Sequence, residues 1–283
     1  MWAYVYKSKY RMLAQIVLIS HVLFTSTRLI NAQTIRIVCT TTHLSSLAET
    51  LAGKTAQVDV IIPWSMCPGH FELKPGEIKK IRHADLILGH GMEKFLSPFG
   101  NDKKYPPINM ISIPGNWMVP TVQKRVAEHV AKILTDKFPQ NAETFQTNLT
   151  AYRKQINALE TELKPFLKKL QGLPVVCSTM CAELADWMGI SVIAKFARDE
   201  DMSLRNMQNA IQKGRDGHVR MVIENQQSSG KLGQTLAKEL NVPLVVISNF
   251  PEPDSLGYPN YEATLKKDVL AVYDQADRLK DEN

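Results

Sequence analysis

Apolar and polar positions along this chain switch repeatedly between two periods. Residues 34–42 (Thr-Ile-Arg-Ile-Val-Cys-Thr-Thr-Thr) are β-branched and nearly continuous, the pattern of a strand buried on both faces. Leu44, Leu47, Ala48 and Leu51 then fall on one helical face, and Gly53 ends that helix. A second strand is predicted over 57–62, stopped by Pro63, and an irregular segment over 64–75. A helix over 76–83 and a third strand over 84–88 follow, closed by Gly89-His90-Gly91. Strand alternating with helix predicts a parallel sheet with helices on its faces.

The middle of the chain changes period. From 121 to about 169 the pattern is helical and strongly charged, broken at Phe138-Pro139. Leu149, Tyr152, Ile156, Leu159 and Leu163 form one stripe, and no glycine occurs between Gly115 and Gly172. A helix of that length between two α/β segments acts as a rigid strut, about 40 Å long at ~1.5 Å per residue. Alternation resumes with a strand from 173 and a helix over 180–188. Strands over 191–195, 219–224 and 243–248 follow, with a helix over 230–240 between the last two, and a final amphipathic helix covers 261–279. The expected fold class is therefore α/β, two lobes of parallel sheet flanked by helices and joined by one long rigid helix. The boundaries are 33–138 for the first lobe, 139–171 for the linking helix and 172–283 for the second.

The two halves echo each other. Val38-Cys39-Thr-Thr-Thr-His43 lies over Val176-Cys177-Ser-Thr-Met-Cys181: a strand ending in Cys, hydroxyl residues in the turn, then a metal-capable side chain opening a helix. Open α/β sheets bind ligands beyond the carboxyl ends of their strands, so two such lobes facing one another would set His43 and Cys181 across one cleft.

Charge first suggests a polyanion partner and then withdraws the suggestion. The 283 residues carry 34 Lys plus Arg against 28 Asp plus Glu. Yet residues 1–32 hold Lys7, Lys9, Arg11 and Arg28 and no acid, ahead of and around the apolar run 12–24. A basic start, a short apolar core and small residues ending at Ala32 describe a secretory signal peptide. The run is too short to span a bilayer as a helix. Without those four cations the chain is almost neutral, so nucleic acid is not expected as a partner. An exported, monomeric protein is.

The chemistry-bearing side chains fall just after predicted strand ends: His43, then Cys67 and His70, then His90, and Cys181 in the second half. Thiolate and imidazole suit zinc or, with Met66 and Met180 close by, a softer ion. A helix amino terminus at Cys181 would favour its thiolate. Cys39 and Cys177 sit inside strands as small buried thiols. Four cysteines in an oxidising compartment could also pair, Cys67 with Cys181 being the candidate bridge. His83, at a helix end, has a structural role, and His129 and His218 are surface positions. Asp199-Glu200-Asp201 faces solvent or rims the cleft. No Gly-x-Ser-x-Gly, phosphate-cradling glycine loop or His-Glu-x-x-His occurs, so catalysis is not expected.

Pro68-Gly-His-Phe-Glu72, Lys74-Pro75-Gly-Glu-Ile-Lys-Lys-Ile81, Ala84-Asp-Leu-Ile-Leu88, Met92-Glu93-Lys-Phe95, Asn116-Trp117-Met-Val-Pro120, Pro139-Gln-Asn-Ala-Glu-Thr-Phe145 and Asn148-Leu-Thr-Ala-Tyr152 together carry a resemblance. The chain resembles the solute-binding proteins of zinc and manganese ABC importers over its whole length beyond 32. That resemblance implies two α/β lobes joined by a long helix, with a metal held between them and delivered to a membrane permease. It also implies ligands that this chain lacks. Gly69 stands where the family usually has a His, Gly115 where it has a second, and Asn249 where it closes the site with Asp. Neither His nor Glu stands near Ser178–Thr179. The expected site is therefore a different set in the same cleft: Cys67, His70 and Cys181, completed by His43 or His90. Zinc is the first expectation for the cargo. Alternatives are a softer or other divalent ion, a metal chelate or small cofactor, or a vestigial cleft in an adhesin-like protein.

Overall fold

The structure is a computed structural model that describes residues 34–99, 104–228 and 230–281. The signal peptide read over 1–32 lies outside the described residues. Among these, no helix is long and apolar enough to cross a membrane.

The first half builds β1 (Ile35–Cys39), α1 (Thr42–Ala52), β2 (Ala56–Val60), α2 (Pro75–His83), β3 (Leu86–Gly89) and β4 (Ile108–Met110). All four strands are parallel, in the order β2-β1-β3-β4. Gly53 ends α1 at a φ of 54°, in the left-handed region that costs a glycine nothing, and returns its N–H to the Glu49 carbonyl. The chain then runs through α3 (Pro120–Lys137) into α4 (Ala142–Leu170), the expected strut, with 29 residues.

The second half repeats the first. It contains β5 (Pro174–Ser178), α5 (Ala182–Trp187), β6 (Ser191–Phe196), α6 (Leu204–Asp216), β7 (Met221–Asn225), α7 (Lys231–Leu240) and β8 (Leu244–Ile247). Its strands are again all parallel, in the order β6-β5-β7-β8. Cys39 on β1 and Cys177 on β5 thus occupy matching central strands, both wholly buried, as their strand pattern predicted. A short antiparallel pair, β9 (Glu252–Pro253) and β10 (Pro259–Asn260), leads into α8 (Tyr261–Asp281).

One apolar core runs through both halves. The predicted stripe on α4 is buried in it, Ile156 and Leu163 fully enclosed, Phe145 extends it by one turn, and α4 packs on α1, α3 and α8. Two polar ties cross this core. The Tyr152 hydroxyl accepts from Gln123 Nε2 at 2.9 Å, and the Tyr261 hydroxyl donates to the Met118 carbonyl at 2.7 Å. The second tie fastens α8 to the turn that carries Trp117, which holds part of the cleft wall in place.

Candidate metal centre

One cavity of about 590 Å³ receives a segment from the carboxyl end of each of the eight strands in the two parallel sheets. His43 follows β1, Cys67-Pro68-Gly69 β2, His90 and Met92 β3, and Gly115-Asn116-Trp117 β4. Thr179, Met180 and Glu183 follow β5, Ala197, Arg198 and Asp201 β6, Asn225 and Gln227 β7, and Asn249-Phe250 β8. This is where parallel sheets leave room for a ligand, here contributed by both at once. Gly69, Gly115, Thr179 and Asn249 all lie on this wall, so the four departures from the expected ligand pattern share one place.

His43 is the most constrained residue of the wall. It sits in the first turn of α1, 1% exposed, with Nε2 2.8 Å from the Asn249 carbonyl. A carbonyl only accepts, so the proton is on Nε2 and Nδ1 carries the lone pair. That Nδ1 is buried and has no hydrogen-bond partner. Burial lowers the His43 pKa to about 4, partly opposed by the bond to Asn249, so the ring is neutral at pH 7.

His90 lies 5.9 Å from His43, centroid to centroid, and stacks on Trp117 at 3.6 Å and 12°. Burial, and His43 beside it, push the His90 pKa well below its ordinary value. Its Nδ1 faces the Thr41 hydroxyl at 3.2 Å, which leaves Nε2 to offer a ligand. The loop that carries it is pinned by Glu93, a buried carboxylate that accepts the N–H groups of His90 (2.9 Å) and Gly91 (2.7 Å) and the Thr40 hydroxyl. Glu93 therefore positions His90 rather than facing the cavity.

The two halves meet in a network of amides. Asn116 Nδ2 donates to Asn249 Oδ1 at 2.7 Å and to the Met180 carbonyl at 3.1 Å, and its backbone N–H donates to Glu183. Asn249 Nδ2 donates to the Met180 carbonyl (3.0 Å) and to Asn225 Oδ1 (2.9 Å). Gln227 bridges the Trp64 carbonyl and the Ser248 hydroxyl, at 2.8 and 3.0 Å. At Asn249, where the resemblance implies an Asp, the wall has a neutral amide satisfied by its neighbours, while Glu183 and Asp201 bring carboxylates to other parts of the same wall.

Of the five residues expected as ligands, three line this cavity: His43, His90 and Cys67. The remaining two are placed elsewhere. His70 closes a short turn and turns outward, its Nε2 3.5 Å from Glu200 in a pair that is largely exposed. Cys181 caps α5 but is fully buried in the shared core, with its Sγ 3.6 Å from Asn249 Nδ2. The expectation that a helix amino terminus would favour the Cys181 thiolate is corrected here. Burial raises its pKa well above that of an ordinary thiol, because desolvating the charge outweighs a helix of only 6 residues. All four cysteines are free thiols, so the Cys67–Cys181 bridge is not formed. Among the described residues, no three His, Cys, Asp or Glu side chains are grouped to hold a metal. The acidic run falls partly on the rim, Asp201 lining the cavity and accepting from Arg198 at 3.1 Å.

Composition did not point to the amide network, and Met92 drew no attention as a donor. Its position immediately after β3, beside His90, was the available signal.

Two parallel sheets whose strand ends jointly enclose one cleft define a two-lobed α/β binding protein. The chain matches the sequence profile of the zinc-uptake complex component A, periplasmic (ZnuA), over residues 37–113 and 114–274, and it belongs to that family. It is 29% identical over 161 residues to the iron-binding protein YfeA of Yersinia pestis, covering 49% of this chain and 51% of that one. It therefore spans about half the length of that relative. To the metal ABC transporter substrate-binding lipoprotein ScbA of Streptococcus cristatus it is 22% identical over 241 residues, covering 74% and 78%. A crystal structure of ZnuA superposes with a TM-score of 0.72 at 18% identity, covering 86% of this chain and 100% of that one, which shows the shared fold.

Proposed function

We propose that this chain is the exported cargo receptor of an ABC importer. It captures a transition-metal ion in the cleft and passes it to a membrane permease, binding without catalysis. The observation that carries this reading is the cavity at the carboxyl ends of both sheets, where His43 and His90 stand 5.9 Å apart with Cys67 on the same wall. Zinc is the ion named in the family's description and the first one to try. The export signal read over 1–32 supplies the route out of the cytoplasm. The long strut supports small adjustments between the halves rather than a wide hinge closure.

Metal titration of single variants tests the ligand assignment. Cys67→Ser is expected to weaken binding of the captured ion about tenfold or more, because it removes a cavity-lining donor. Cys181→Ser and His70→Ala are expected to bind like wild type, since neither side chain lines the cavity. If Cys181→Ser or His70→Ala lost binding while Cys67→Ser kept it, this wall would not be the site.

The size of the cleft favours a second reading. A cavity of about 590 Å³ is roomy for a bare ion and falls in the range of small-molecule sites. A metal that arrives with its own small chelator would fill it, and mass spectrometry of the protein as purified would detect the chelator.

A further inference from the structure

Cys67, Met92 and Met180 bring three sulfur atoms to the wall that also holds His43 and His90. Met92 and Met180 are 41% and 43% exposed, although each is a long apolar side chain next to a large core. One follows β3 and the other follows β5, so the two thioethers come from opposite halves and both open onto the cleft. Thioethers are poor hydrogen-bond acceptors, and keeping two of them in water sacrifices apolar burial. Their value in a cleft is as flexible, polarisable donors.

The other donors match them. His43, almost entirely buried, has its Nε2 proton fixed by the Asn249 carbonyl and its Nδ1 lone pair without a partner. A second shell that fixes one ring nitrogen and leaves the other for a ligand is how metal-binding imidazoles are held. Of the two carboxylates on the wall, Asp201 is paired with Arg198, and Glu183 accepts the Asn116 N–H with one oxygen. Arg198, its charge balanced by Glu200 and Asp201, donates to Cys67 Sγ at 3.8 Å.

We propose that the cleft is built for a soft monovalent cation, copper(I), held by the Met92 and Met180 thioethers from opposite halves together with one or two of the donors Cys67, His43 and His90. Thioether and thiolate ligands select copper(I) and imidazole accepts it, whereas hard divalent ions such as manganese favour carboxylate, carbonyl and water oxygens. The proposal rests on the metal-receptor reading above and names its cargo.

The test is anaerobic competition for copper(I) supplied as its bicinchoninate complex, with zinc and manganese chlorides titrated separately into the same full-length protein. One copper(I) per chain is expected, bound at least about 100-fold more tightly than zinc, with manganese weaker still. The double variant Met92→Leu/Met180→Leu preserves volume, and its melting temperature checks that it folds. It is expected to lose at least about tenfold in copper(I) affinity. If zinc or manganese bound more tightly than copper(I), or the folded double variant held copper(I) as well as wild type, the proposal would be overturned while the metal-receptor reading stood. If none of the three ions bound, the receptor reading would fail with it.

Discussion

Truncating Phe145 to Ala is expected to destabilise the protein by about 3–5 kcal/mol, a third or more of the ~5–15 kcal/mol that holds a domain folded. Phe145 is fully buried at the start of α4, in the core shared by both halves. It begins the run of buried positions Leu149, Tyr152, Ile156, Leu159 and Leu163, by which α4 packs on α1, α3 and α8. Removing the ring loses its transfer free energy and leaves a cavity that surrounding helices can only partly close. Gln155→Ala on the exposed face of the same helix is the control, expected to change stability by no more than about 0.5 kcal/mol. Urea denaturation of both variants checks the difference. If Phe145→Ala matched the control, α4 would be a tether between two independent halves and not part of one core.

Replacing His43 and His90 together with Ala is expected to lower the affinity for the captured ion by at least about 100-fold. Loss of groups that merely orient a ligand costs 10–100-fold, and this change removes two donors. The variant also leaves the Asn249 carbonyl without the His43 N–H and uncovers one face of Trp117. Each loss costs stability, so the comparison requires a melting curve of the metal-free protein beside the binding curve. A double variant that folds and binds as tightly as wild type would remove both imidazoles from the ligand set.

The fold was legible in the chain wherever burial imposed a period. The central strands β1, β3, β5 and β7 are nearly continuous apolar runs because helices cover both faces, and the stripe on α4 follows from one face being enclosed. Four elements left a weaker trace or none. β4 is only three residues long, with no residue fully buried, so its pattern hardly differs from that of a loop. On α6 the stripe Met207, Ala210, Ile211 and Gly214 packs on the core, but it is short and only Ala210 and Gly214 are fully buried, among Arg205, Asn206, Gln208, Asn209, Gln212 and Lys213. The pair β9 and β10 has two residues to each strand.

The site was legible to the extent that strand ends mark it. His43, Cys67 and His90 were placed by topology, and topology brings them to one wall. Cys181 and His70 follow strand ends just as closely, yet side-chain direction separates them. Cys181 turns into the core at the start of α5, and His70 turns out to Glu200. One residue of rotation within a short turn decides each case, and strand and helix periodicity do not resolve it. The amide network was hidden for another reason. Asn116, Asn225, Asn249 and Gln227 gain their meaning only from one another, across separations as long as 133 residues.

The most direct test of the cleft as the cargo site is anomalous X-ray diffraction from crystals of the protein loaded with the ion it binds most tightly. One anomalous peak is expected in the cleft, within bonding distance of His90 Nε2 and of at least one sulfur among Cys67, Met92 and Met180. A peak confined to the outer surface, or to His70 and Glu200 alone, would contradict the account.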